Sequence, residues 1–105
     1  MPIKTIAHEA RFSPGKMAKV NLFQSERFFC DLYGLEPGQS QKPHAHDGSD
    51  KVYVVVEGAA RVRIGTEDAV VGEGAVAHVP AGAVHSIENA GAGRATLLVF
   101  MAPKP

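Results

Sequence analysis

The chain has 105 residues, with 11 Lys and Arg against 11 Asp and Glu and no formal net charge. That length suits one domain over residues 1–105. The charge balance argues against a nucleic-acid partner, and no apolar run approaches the roughly 18 residues of a membrane span. The single cysteine, Cys30, excludes an internal disulfide framework and fits a reducing compartment. The opening residues, MPIKTIAHEARF, lack the apolar stretch of a signal peptide, so a cytoplasmic location is expected.

Glycine and proline together make up 18 residues, scattered at turn positions, which points to many short strands. Residues 1–16 form a mixed N-terminal segment with a turn signal at Pro14-Gly15. Residues 17–23 read as a first strand and 26–35 as a second. In the second, Phe28, Cys30 and Leu32 share one face, and Phe29, Asp31 and Tyr33 the other. After the turn Glu36-Pro37-Gly38, residues 39–46 run extended into His44-Ala45-His46, and Asp47 to Asp50 form a loop. Residues 51–57, KVYVVVE, are a β-branched and aromatic strand. Strands follow at 60–64, 69–71, 76–79, 85–89 and 94–101, separated by glycine- and proline-bearing turns, and 102–105 is expected to be a loose tail. No stretch shows useful helical periodicity. The fold class is therefore all-β, a sandwich or barrel.

Residues two apart on a strand point the same way, so His44 and His46 share a face and can supply two ligands to one metal ion. His85 follows the loop Pro80-Ala81-Gly82 and is the candidate third ligand, giving the metal set His44, His46 and His85. His8 and His78 are read as ordinary histidines, and Cys30 as a small buried hydrophobe. Phe28, Phe29, Phe100 and Met101 are expected in the core, and Asn89 in a turn. Strand 51–57 is apolar on both sides, with Tyr53 and Val55 on one and Val52, Val54 and Val56 on the other. One side can line a barrel. The other needs a cover, and a homodimer is expected.

Two spaced motifs carry a family resemblance. Gly38, five residues, His44, one residue, His46 and a strand closing at Gly58 resemble the first motif of the cupins, about 38–58. Gly74, five residues, Pro80, one residue, Gly82, two residues, His85, three residues and Asn89 resemble the second, about 74–89. The resemblance implies a double-stranded β-helix, or jelly-roll barrel. It departs at one position: the glutamate that cupins usually place five residues after the second histidine is here Lys51. Three alternatives follow. Three histidines and water hold the metal, or Asp50 or Asp47 supplies a fourth ligand, or no metal binds.

The histidine set without the glutamate is similar to that of certain cupin dioxygenases. It implies a divalent ion (Fe, Zn, Ni or Mn) and a small anionic or chelating substrate, with Lys51 and Tyr53 as candidate substrate-binding residues. No catalytic residue can be named from the sequence. The alternatives are a non-catalytic small-molecule binding cupin, with or without metal, and a structural or regulatory dimer with a residual pocket and unused histidines.

Overall fold

The structure, a computed structural model, describes residues 2–105. It comprises a short helix α1 (Ile6–Glu9) and nine strands: β1 (Ala18–Gln24), β2 (Phe29–Leu35), β3 (Ser40–His44), β4 (Asp50–Glu57), β5 (Ala60–Ile64), β6 (Glu67–Val71), β7 (Val76–Val79), β8 (His85–Asn89) and β9 (Ala95–Ala102). The strands form two sheets, ordered β1-β2-β9-β4-β7 and β3-β8-β5-β6. Every strand pair is antiparallel. The all-β expectation holds, and the sheets face each other as the two walls of a jelly roll.

Alternation decides which side chains lie between the walls. On β4, Tyr53 and Val55 point inward and are buried, while Val52, Val54 and Val56 are half-buried on the outer face. On β9, Leu97, Val99 and Met101 are buried. Phe100 points the other way and is 37 % exposed, so it is not a core residue as its size suggested. These buried residues of β4 and β9, Met101 aside, join Tyr33, Leu35, Val62, Val79 and Ile87 in one interior core. Each fully buried aliphatic or aromatic side chain contributes on the order of 1.5–3 kcal/mol.

A second, smaller cluster of Leu22, Cys30 and Leu32 lies on the outer face of the large sheet, covered by Ile6 and Ala10 of the N-terminal segment. The helix α1 was not foreseen. At four residues it is too short to show a periodicity, and its role is to bring Ile6 onto that cluster. Gly34 lets the segment pass, since a Cβ there would collide with the carbonyl oxygen of Arg11. At the other end of the chain, Ser49 donates to the Pro103 carbonyl and the Lys104 amide donates to that of Arg27, so the tail is held at two points. Among the described residues, no helix is long and apolar enough to cross a membrane.

Candidate metal centre

The three histidines converge. His44 at the end of β3 and His85 at the start of β8 are direct cross-strand partners. Their rings stand 4.1 Å apart, centroid to centroid. His46 lies just beyond β3, its ring 5.1 Å from that of His44 and 6.1 Å from that of His85. Its carbonyl accepts the Gly82 amide at 2.9 Å, which ties the histidine pair to the Pro80-Ala81-Gly82 loop. One ligand atom from each imidazole lies within 4.8 Å of the others.

The backbone aims two of these rings. His44 Nδ1 lies 2.8 Å from the Lys42 carbonyl and His85 Nδ1 3.0 Å from the Ala83 carbonyl. A carbonyl only accepts, so Nδ1 carries the proton and donates, leaving the Nε2 lone pair facing inward. This is the tautomer a metal ligand needs, with the outer nitrogen held by a backbone acceptor. Bonds of about 2.0–2.1 Å place ligand nitrogens roughly 3–3.5 Å apart, so a ring shift on the order of an ångström closes the set. The donor set therefore fits a divalent ion.

Of the three alternatives for the fourth position, an aspartate ligand does not hold. Asp50 points outward, where its carboxylate accepts from His78 Nε2 and from the Ala81 amide, each at 3.0 Å. Those two bonds hold its carboxyl below the usual range. Asp47 is exposed, and neither aspartate belongs to the cluster. Strand alternation explains Asp50: its neighbour Lys51 takes the inward direction. Lys51 is 2 % exposed and reaches from β4 across the barrel to the opposite sheet. Its Nζ lies 3.2 Å from His44 Nε2 and 3.3 Å from His85 Nε2.

The two imidazole lone pairs thus accept from a lysine head group that occupies their common focus. Its stem passes the ring of Tyr53, with Nζ 5.3 Å from the centroid, and that of Tyr33 at 6.0 Å. Burial, aided by the Lys19 charge, lowers the Lys51 pKa to about 8, with Asp31 opposing. His85 is lowered to about 4, by burial first and by the Lys51 charge second among the lowering causes. His44 is lowered as well, again chiefly by burial. Near neutral pH the state these shifts describe is an ammonium donating to two neutral imidazoles.

Tyr53, the other candidate for substrate contact, is fully buried beneath Lys51, its hydroxyl 3.4 Å from Gln41 Oε1. Gln41 also reaches Tyr33, whose hydroxyl is pushed up to about 12 by burial. A cleft of about 400 Å³ opens over the cluster, and its lining includes Lys19, Lys42, Lys51, Tyr33, His44 and His46 but no carboxylate. Lys19, Lys42, Tyr33 and Gln41 were not picked out from the sequence. Tyr33 carried a signal, since it shares the inward face of β2. Gln41 carried little, because β3 bulges between Gln41 and His44 and breaks the alternation there. His78 lies away from the cluster on its exposed pair with Asp50, and His8 is exposed on α1.

A family model for the cupin domain matches residues 31–101, most of the chain and all of the cluster. The chain is a cupin. An uncharacterized protein of Streptomyces coelicolor is 35% identical over 98 residues, 91% of this cupin and 90% of that protein. A crystal structure of a Thermus thermophilus protein superposes with a TM-score of 0.96 at 52% identity, covering 100% of both chains. A Klebsiella pneumoniae protein described as having a double-stranded β-helix domain has a TM-score of 0.89 at 22% identity, over 96% of this cupin and 89% of that chain, a likeness of fold.

Proposed function

We propose that this cupin binds one divalent metal ion through His44, His46 and His85 and receives a small anionic or chelating ligand through the cleft above them. The observation that carries the reading is the pair of carbonyl-held imidazoles, each presenting Nε2 to the same point. Fe, Zn, Ni and Mn all accept imidazole donors. A bound ion would supply Lewis-acid charge and open coordination positions, and iron would add the redox chemistry of a dioxygenase-type enzyme. Lys19 and Lys42 give the cleft a positive rim, and with no carboxylate in its lining the cleft favours a carboxylate, enolate or phosphate group.

Elemental analysis of protein purified without added metal, repeated on the His44→Ala, His85→Ala double variant, tests the metal reading. Metal present in the wild type and lost from the variant is the expected result. Equal metal content in both contradicts it. Oxygen uptake with diketones, thiols and aromatic diols then tests the enzyme reading, and no uptake across that panel counts against it.

The position of Lys51 favours a second reading, a non-catalytic small-molecule binding cupin in which the ammonium is the fixed cation and no metal is needed. Carboxylate binding that persists in the presence of a strong chelator and is lost in Lys51→Met supports this reading over the first. We also propose a homodimer, because Val52, Val54, Leu98 and Phe100 leave an apolar stripe on the outer face of the large sheet.

A further inference from the structure

We propose that Lys51 is a tethered competitor for the metal ion: its head group occupies the focus of the imidazoles, and an ion enters only by expelling it. This deepens, and rests on, the reading of the three histidines as a metal site. The geometry leaves little alternative. Nζ lies 3.2 and 3.3 Å from the two Nε2 atoms that would bind the ion. An ion about 2.1 Å from both nitrogens, on the same side of the rings, would sit roughly 2 Å from Nζ, closer than either can tolerate. The two cannot share the site.

The surroundings hold the lysine in place. Its stem comes from the opposite sheet, in register between Val79 on β7 and Met101 on β9. The Tyr53 and Tyr33 rings flank the head group, and the imidazole lone pairs give it two acceptors. Among the described residues, no buried side-chain nitrogen or oxygen lacks a hydrogen-bond partner, so the lysine completes the site's internal bonding. Lys51 itself lines the cleft, which gives its head group room to withdraw.

An ion therefore has to repay the lost bonds of Lys51 as well as its own dehydration. Ions with a strong preference for imidazole, such as Cu²⁺, Ni²⁺ and Zn²⁺, can do so. Hard ions such as Mg²⁺ and Ca²⁺ cannot, and Mn²⁺ is the weakest binder of its series. The residue that replaces the usual glutamate would then set a threshold on which ions the site accepts, where a carboxylate would have contributed a ligand.

The test is calorimetric titration of Zn²⁺ into the full chain, with Co²⁺ visible absorption as an independent readout of ion geometry. The proteins are wild type, Lys51→Met, Lys51→Gln and Lys51→Met combined with His46→Ala. The two neutral variants provide folded alternatives to each other. Both are expected to bind Zn²⁺ at least about a hundredfold more tightly than wild type, given the repulsion that is removed. The combined variant is expected to lose the gain and the Co²⁺ band. Equal affinity in wild type and the Lys51 variants overturns the competitor while leaving the metal site standing. No binding by any of the proteins overturns both. A gain that survives His46→Ala places the ion elsewhere and overturns the proposal.

Discussion

Lys51 brings a positive charge to a position only 2 % exposed, against two imidazoles and two aromatic rings. Burial makes proton binding harder in the folded chain, and that sets the pH dependence of stability. His85 falls from its ordinary 6.5 to about 4, so between those values the unfolded chain takes up a proton that the folded chain refuses. Stability from this group rises with pH through that window and is lost as acid is added. Lys51 falls from 10.5 to about 8, and the same sign applies between 8 and 10.5. Cys30, Tyr33 and Tyr53 are shifted upward by burial and act in the opposite sense at alkaline pH. Comparing wild type with Lys51→Met isolates the lysine. The difference in stability, by urea unfolding at a series of pH values, is expected to move in favour of wild type from about pH 8 to 10.5. A flat difference would show that Lys51 titrates alike in the folded and unfolded chains.

Asn89 is a second buried polar residue with a defined structural task. Its side-chain nitrogen donates to the Leu35 and Gly93 carbonyls and its oxygen accepts the Gly91 amide, all at 2.9 Å. Asn89 is the last residue of β8 rather than part of a turn, but its side chain braces the turn that follows, and the bond to Leu35 ties that turn to β2. Asn89→Ala leaves buried carbonyls without donors and is expected to lower unfolding stability by about 2–3 kcal/mol. A loss under about 0.5 kcal/mol would mean that water replaces these bonds.

At the scale of the elements, turns position the strands and the strands position the site. Gly58 joins β4 to β5, and so one sheet to the other, with φ of 82° and no room for a side chain: a Cβ would lie 2.5 Å from the Arg94 carbonyl oxygen. Gly58→Ala is expected to cost about 2–3 kcal/mol in thermal or chemical unfolding, through the left-handed backbone and the collision together. Little change would show that the β9 approach is loose. Much of this layout was legible in the sequence, because period-two alternation and glycine-proline punctuation are local signals. Strands 60–64, 76–79 and 85–89 coincide with β5, β7 and β8.

The site was legible in part, and for a physical reason. Nearness in sequence keeps His46 beside His44, although β3 ends at His44 and the shared strand face expected for the pair does not extend to His46. The meeting of His44 with His85 depends on the pairing of β3 with β8, which the residues encode only through the cupin motifs. Lys51 shares its inward direction with Tyr53, yet a lysine at the start of a strand is usually solvated, so parity alone left its side undecided. Its contact with two imidazoles depends on the distance between sheets, and no local pattern carries that. The mouth residues Lys19 and Lys42 are set by the same long-range geometry.

For the whole molecule, the outer face of the large sheet is only partly covered. The N-terminal segment covers Leu22, Cys30 and Leu32, while Val52, Val54 and Phe100 lie on the same outer side and remain accessible in part. Absence of net charge removes any long-range barrier to self-association. Sedimentation is expected to show a dimer for the wild type and a monomer for Val54→Glu, Phe100→Glu. A monodisperse wild-type monomer at working concentration would contradict the homodimer.

The ion itself is best located by anomalous diffraction from crystals of the Zn²⁺-saturated protein, with Lys51→Met alongside the wild type. One peak is expected about 2.1 Å from nitrogens of His44, His46 and His85, with the Lys51 side chain drawn back toward the cleft in the wild type. A lysine still lodged between the rings at saturating Zn²⁺, and a Lys51→Met crystal with no peak among the three histidines, would contradict it.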